Sequence, residues 1–146
     1  MNPNLFSAEQ PIIDRLTAAL EPLFEDITVG SASLVAGSYD PAAYAPGVFV
    51  FAGSGNVKTD AMKHTVTAET QRWQLSVFVA HHAGANRTSA YRAGEILAAV
   101  FDSLLGWKPT ESHAALKLTG RGEPYYEPGF VEFPVFFETT LVQKRS

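Results

Sequence analysis

Apolar residues at Ile12, Ile13, Leu16, Ala19, Leu20, Leu23 and Phe24 recur at helical spacing, which predicts an amphipathic helix over 8–24. Ser7 and Gln10 stand at capping-box spacing, and Pro11 falls in the first turn, where its missing N–H costs little. Pro22 should end or kink this helix. A short strand is expected at 27–29. Residues 30–46 are small and poorly patterned, with Asp40-Pro41 suited to start one helical turn through Tyr44. GVFVFA at 47–52 is a continuous apolar run between Pro46 and Gly53 and reads as a buried strand, whereas GSGN at 53–56 reads as a turn or loop.

Residues 65–80 lack Gly and Pro and are rich in Thr, Val and aromatics, which predicts one long strand. Its second half places Trp73, Leu75, Val77 and Val79 on one face and Arg72, Gln74 and Ser76 on the other. Its first half, 64–70, is polar on both faces. Strands average about five or six residues, so this one should overhang the core sheet. The overhang reads in two ways: an arm whose backbone groups another copy satisfies, or a solvated hairpin or loop. A second helix is expected over 88–105, with Tyr91, Gly94, Leu97, Ala98, Phe101, Leu104 and Leu105 in one stripe and Gly106 ending it. A weak strand at 114–119 and a turn-rich loop at 120–129 precede a last strand at 130–142. That strand sets Val131, Phe133, Val135, Phe137 and Leu141 against Glu132, Pro134, Phe136 and Glu138, and Pro134 argues for an edge position or a bulge. The order predicts an α+β domain of two layers: a mostly antiparallel sheet of about four to five strands, with two amphipathic helices on one face.

A chain of 146 residues fits one domain with a sizeable core. We expect mobile segments at 1–6, 53–63 and 143–146. No cysteine is present, which removes disulfides, thiolate metal sites and a cysteine nucleophile. No apolar run is long enough to span a membrane, and the first ten residues have no basic segment leading into an apolar core, so no secretory signal is expected. Net charge is −4, unevenly placed: up to Val50, Arg15 alone opposes Glu9, Asp14, Glu21, Glu25, Asp26 and Asp40. Such an acidic end is either a solvated helix face or a surface that meets the rest of another copy. A basic nucleic-acid footprint is missing.

Candidate chemistry is sparse. Adjacent His81 and His82 project to opposite sides of an extended chain, and neither they nor His64 and His113 stand at metal-ligand spacing, so no metal or cofactor is expected. Asp60, Glu69 and Asp102 have no base at a fixed spacing, and Glu132 and Glu138 lie about 20 Å apart at strand rise, too far for a catalytic dyad. Gly53-Ser54-Gly55 is neither a phosphate loop nor a nucleophile elbow. Phe49, Phe51, Trp73, Phe78, Phe133 and Phe137 read as core rather than as a base-stacking platform, because no basic groove accompanies them. Phe136, between two glutamates on the outer strand face, reads as an exposed anchor at a subunit contact.

An opening amphipathic helix, PGVFVFAG at 46–53, QRWQLSVFVA at 71–80, a helix ending in LLGWKP at 104–109 and a closing strand with FFETTLV at 136–142 follow one another in that order. The series resembles the tail-terminator proteins of long-tailed bacteriophages, in particular the Mu-like terminator family, and more distantly the minor tail protein U of lambda. The likeness covers about 11–142. It implies a structural virion protein with no catalytic residues, in the neck region of the tail and in the host cytoplasm during assembly. Such proteins bind the head-proximal end of a finished tail tube as a hexameric ring, stop its polymerisation and present a surface to the head-completion or connector protein. DNA passes the lumen without specific binding, which the net negative charge favours. A ring needs two different patches per copy; the candidates for contact with a copy or the tube are His64, Val66, Thr67, Glu69 and Thr70 on the overhang and Glu132, Phe136 and Glu138 on the last strand. The alternatives are another ring-forming neck or tube protein, a stopper or tube subunit, and a small hydrolase.

Overall fold

A computed structural model of the chain describes residues 4–33, 41–60, 62, 65–81 and 86–142. The elements run α1 (Glu9–Leu20), β1 (Thr28–Ser31), a 3-10 turn (Pro41–Tyr44), β2 (Gly47–Asp60), β3 (Thr65–His81), α2 (Asn86–Leu104), β4 (Lys117–Arg121), β5 (Tyr125–Glu127) and β6 (Gly129–Val142). The class is α+β, as the hydrophobic pattern indicates. The sheet is mixed and has six strands, however, in the order β1-β2-β3-β6-β4, with β5 also on β6. The expected four to five mostly antiparallel strands are corrected on two counts. β1, the short strand expected at 27–29, lies parallel to β2, and Tyr125–Glu127, inside the expected loop, pairs antiparallel with Phe130–Glu132. Both pieces are too short to carry a period of their own.

The two helices cover one sheet face. Ile12, Leu16 and Leu20 of α1 and Ala93, Ile96, Leu97, Val100 and Leu104 of α2 enclose a core with Val48, Val50, Trp73, Leu75, Val77, Val131, Val135 and Phe137. The buried stripe of α2 is rotated from the expected one: Tyr91 and Leu105 face outward. Helix α1 starts one residue later than a capping box at Ser7 requires. Ala8 takes the cap position without a side-chain bond, Gln10 Nε2 donates to Asp14 Oδ1 (2.8 Å) and the Ser7 hydroxyl is buried without a partner. Arg15, the single cation of the first fifty residues, ties the helices together. Its Nε donates to the Ser103 carbonyl near the C-terminal end of α2, and its guanidinium lies 4.9 Å from the Trp107 ring.

The opposite face has a small core of its own, where Phe49 and Phe78 are buried beneath Tyr44, Phe51 and Phe130. This explains why the 47–52 run is apolar on both faces. The expected turn at 53–56 is not there. β2 continues to Asp60 through a bulge in which Ala52 and Gly53 oppose the single residue Trp73. A Cβ on Gly53 would lie 1.2 Å from the Arg72 carbonyl oxygen, so glycine is required at this point. Pro134 sits in a strand with neighbours on both sides. Its carbonyl accepts from the Gly122 N–H (2.9 Å), so its own nitrogen faces the same side, in the gap where β4 has ended and β5 has not begun. No ladder bond is lost there.

Candidate assembly surface

Asn56–Asp60 of β2 and Thr65–Thr70 of β3 form a two-stranded arm beyond the bulge, with Asn56 opposite Thr70 and Asp60 opposite Thr65. The polar half of β3 is thus paired on its β2 side, the hairpin alternative for this segment. On its other side, among the described residues, β6 reaches Ala68, opposite Val142. Gln71, 3% exposed, anchors the root. It accepts from Trp73 Nε1 (3.0 Å) and donates to Glu69 Oε1 (2.8 Å) and to the Leu5 carbonyl (2.7 Å). This chain of bonds satisfies the buried indole and holds the N-terminal segment against the arm. Val57, opposite Glu69, is 57% exposed, and Leu5 and Phe6 are exposed as well.

The expected contact residues separate into two groups. His64 lies outside the described residues. Val66 lies opposite Thr59 in the arm, and Thr67 is the extra residue at the irregularity between Lys58 and Thr59. Glu69 turns to the helix side with Gln71, while Thr70 shares the outer side with Arg72. Phe136 and Glu138 lie side by side on the outer face, opposite Gln74 and Arg72, and Glu132 lies farther along it, opposite Phe78.

Phe136 is half-buried rather than bare. The Arg72 guanidinium sits 3.9 Å from its ring centroid, and Lys117 Nζ approaches Glu138 Oε1 at 4.0 Å. The outer face therefore presents a cation–π pair flanked by a carboxylate and an ammonium, a surface of mixed charge. Sequence reasoning missed Lys117, Tyr125 and Tyr126. The alternation of β4 is broken by an irregularity between Leu118 and Gly120, and the two tyrosines stand in a segment rich in turn residues. Tyr125 donates to Glu127, and this bond together with the carboxylate's charge raises its phenol pKa.

Among the described residues no group of His, Asp or Glu is placed to hold a metal ion. His113 is buried, 1% exposed, and its Nδ1 lies 2.6 Å from Thr110 Oγ1. Its Nε2 has no partner, and burial lowers its pKa. It lies on the segment bridged to Leu141 and is a structural group.

A family model for phage tail terminator proteins matches residues 1–146, the whole chain. The chain belongs to the phage tail terminator family. This terminator-family protein is a structural component of a bacteriophage tail, and among its described residues no helix is long and apolar enough to cross a membrane. Individual curated proteins give no match to its sequence.

Proposed function

We infer that this protein closes the head-proximal end of a phage tail tube as a homohexameric ring, ends tube polymerisation there and offers its other side to the head-completion or connector protein. The family match over the whole chain carries the reading. The fold supports it in physical terms: a sheet-and-helix body bears a hairpin arm that extends past the bulge at Gly53 and a sheet face of mixed charge around Phe136. The arm and the outer face of β6 are the surfaces proposed to meet the tube or a neighbouring copy. DNA crosses the lumen without specific contacts, and the protein acts in the virion neck after assembly in the host cytoplasm.

Native mass spectrometry of the purified protein, alone and with tail tubes, tests the reading. The expected product is six copies of the 15.8 kDa chain, free or on the tube, and tubes that no longer grow. A monomer that neither assembles nor binds tubes overturns it. Phe136→Lys should abolish assembly while leaving the circular dichroism spectrum unchanged; intact rings from that variant would remove the β6 face from the contact.

A further inference from the structure

The sheet ends on β1 at one side and β4 at the other, and among the described residues neither strand has a neighbour beyond it. β1 runs parallel to β2, and β3, β6 and β4 then alternate, so β1 and β4 run in opposite directions. Rotating a copy about an axis near the strand direction would set its β4 antiparallel to the β1 of the next copy. Antiparallel pairing has the better hydrogen-bond geometry. Such a contact joins two different patches, the kind that closes into a ring. Among the described residues β2 past Val50 has no strand on the β1 side either, but a bulge such as that at Gly53 bends its strand, so β1 is the regular part of that end.

The side chains agree with this pairing. Glu21, Glu25 and Asp26, all exposed, immediately precede β1, and residues 21–33 contain no Lys or Arg. Leu23 in their midst is 66% exposed. β4 carries Lys117 and Arg121, both exposed, with Leu118 between them; the Lys117 side chain is 72% exposed despite its approach to Glu138. Past β4, Glu123 and Glu127 make the β5 stretch acidic. An acidic β1 end is therefore attracted to β4 and repelled by β5, which fixes its position along the edge.

We propose that neighbouring copies join edge to edge, the acidic β1 end of one against the basic β4 edge of the next, so that the sheet continues around the ring. The proposal rests on the ring reading above and names its seam. It takes Lys117 from the rim of the outer face and leaves the arm and the part of that face around Arg72 and Phe136 to the tube.

Charge reversal tests it on the full chain. Glu25→Lys with Asp26→Lys makes both edges basic, and Lys117→Glu with Arg121→Glu makes both acidic. Each double variant, checked for an unchanged thermal unfolding curve, should give at least about tenfold less ring on tail tubes than the wild type. An equimolar mixture should restore rings in which the two variants alternate in equal number. Wild-type assembly should also weaken as salt rises from about 0.05 M to about 0.5 M. Rings from either variant alone at wild-type yield, or a mixture that fails where the wild type assembles, would overturn the seam and leave the ring reading standing. Absence of rings from the wild type with tubes would instead overturn the ring reading, and the seam with it.

Discussion

Gly53 and Gly94 make opposite demands on a methyl group. At Gly53 the added carbon would collide with the Arg72 carbonyl, whereas nothing lies within 4 Å of the corresponding position at Gly94, inside α2. Gly53→Ala should therefore cost roughly 3 kcal/mol or more, the range reached when a special backbone site is lost. Gly94→Ala should gain about 0.5–1 kcal/mol by restricting the unfolded chain. Urea unfolding midpoints of the two variants measure both signs in one experiment. His113 gives a prediction of a different kind. Burial holds its folded-state pKa below the unfolded value of about 6.5, so the unfolded chain takes up the proton first. Its contribution is complete above that pH and is lost as pH falls, levelling off once the folded protein is protonated too. The slope is at most about 1.4 kcal/mol per pH unit for one proton. His113→Gln should remove that slope from a series of unfolding curves between neutral and mildly acidic pH, and an unaltered slope would assign it to other groups.

At the scale of single elements, Gln71 ties the root of the arm to the indole of Trp73 and to the N-terminal segment. Gln71→Leu removes the acceptor of the Trp73 indole and the donor to Leu5 and Glu69. An orphaned buried donor costs about 1–3 kcal/mol, and loss of the tether should raise amide exchange across Asn56–Asp60 and Thr65–Thr70 before the core exchanges. Exchange rates equal to the wild type's would show the arm to be held by its own ladder alone. The long elements were legible in the sequence because their burial is periodic: β3, β6 and both helices lie within a few residues of the expected bounds, and the alternation of Trp73, Leu75, Val77 and Val79 marks the core face. What escaped reading has no period. β5 is too short, β1 is expected as a strand but carries no mark of its parallel pairing, the bulge at Gly53 looks like a turn when glycine is read locally, and outward-facing Tyr91 and Leu105 misplace the stripe of α2. Of the proposed contact surface, Phe136, Glu132 and Glu138 share one strand face by alternation alone. Their companions Arg72 and Lys117 come from other strands and are joined to them only by register.

For the whole molecule, Arg15 shows how a chain with so acidic a beginning keeps its two helices together: one guanidinium serves a helix end and an aromatic face at once. Arg15→Met should cost about 1 kcal/mol, read as a lowered thermal midpoint, with far-ultraviolet dichroism unchanged below the transition. A separate consequence follows from the place of β6. The strand that comes last among the described elements is not at an edge; it lies between β3 and β4 and also carries β5. A ribosome that has not yet delivered residues beyond Gly129 has made three of the six strands' partnerships impossible, those of β3, β4 and β5 with β6. Folding then waits on the last of the described strands, with contacts widely separated along the chain and a correspondingly slow closure. Fragments from interrupted synthesis would lack the middle of their sheet, since β6 lies between β3 and β4.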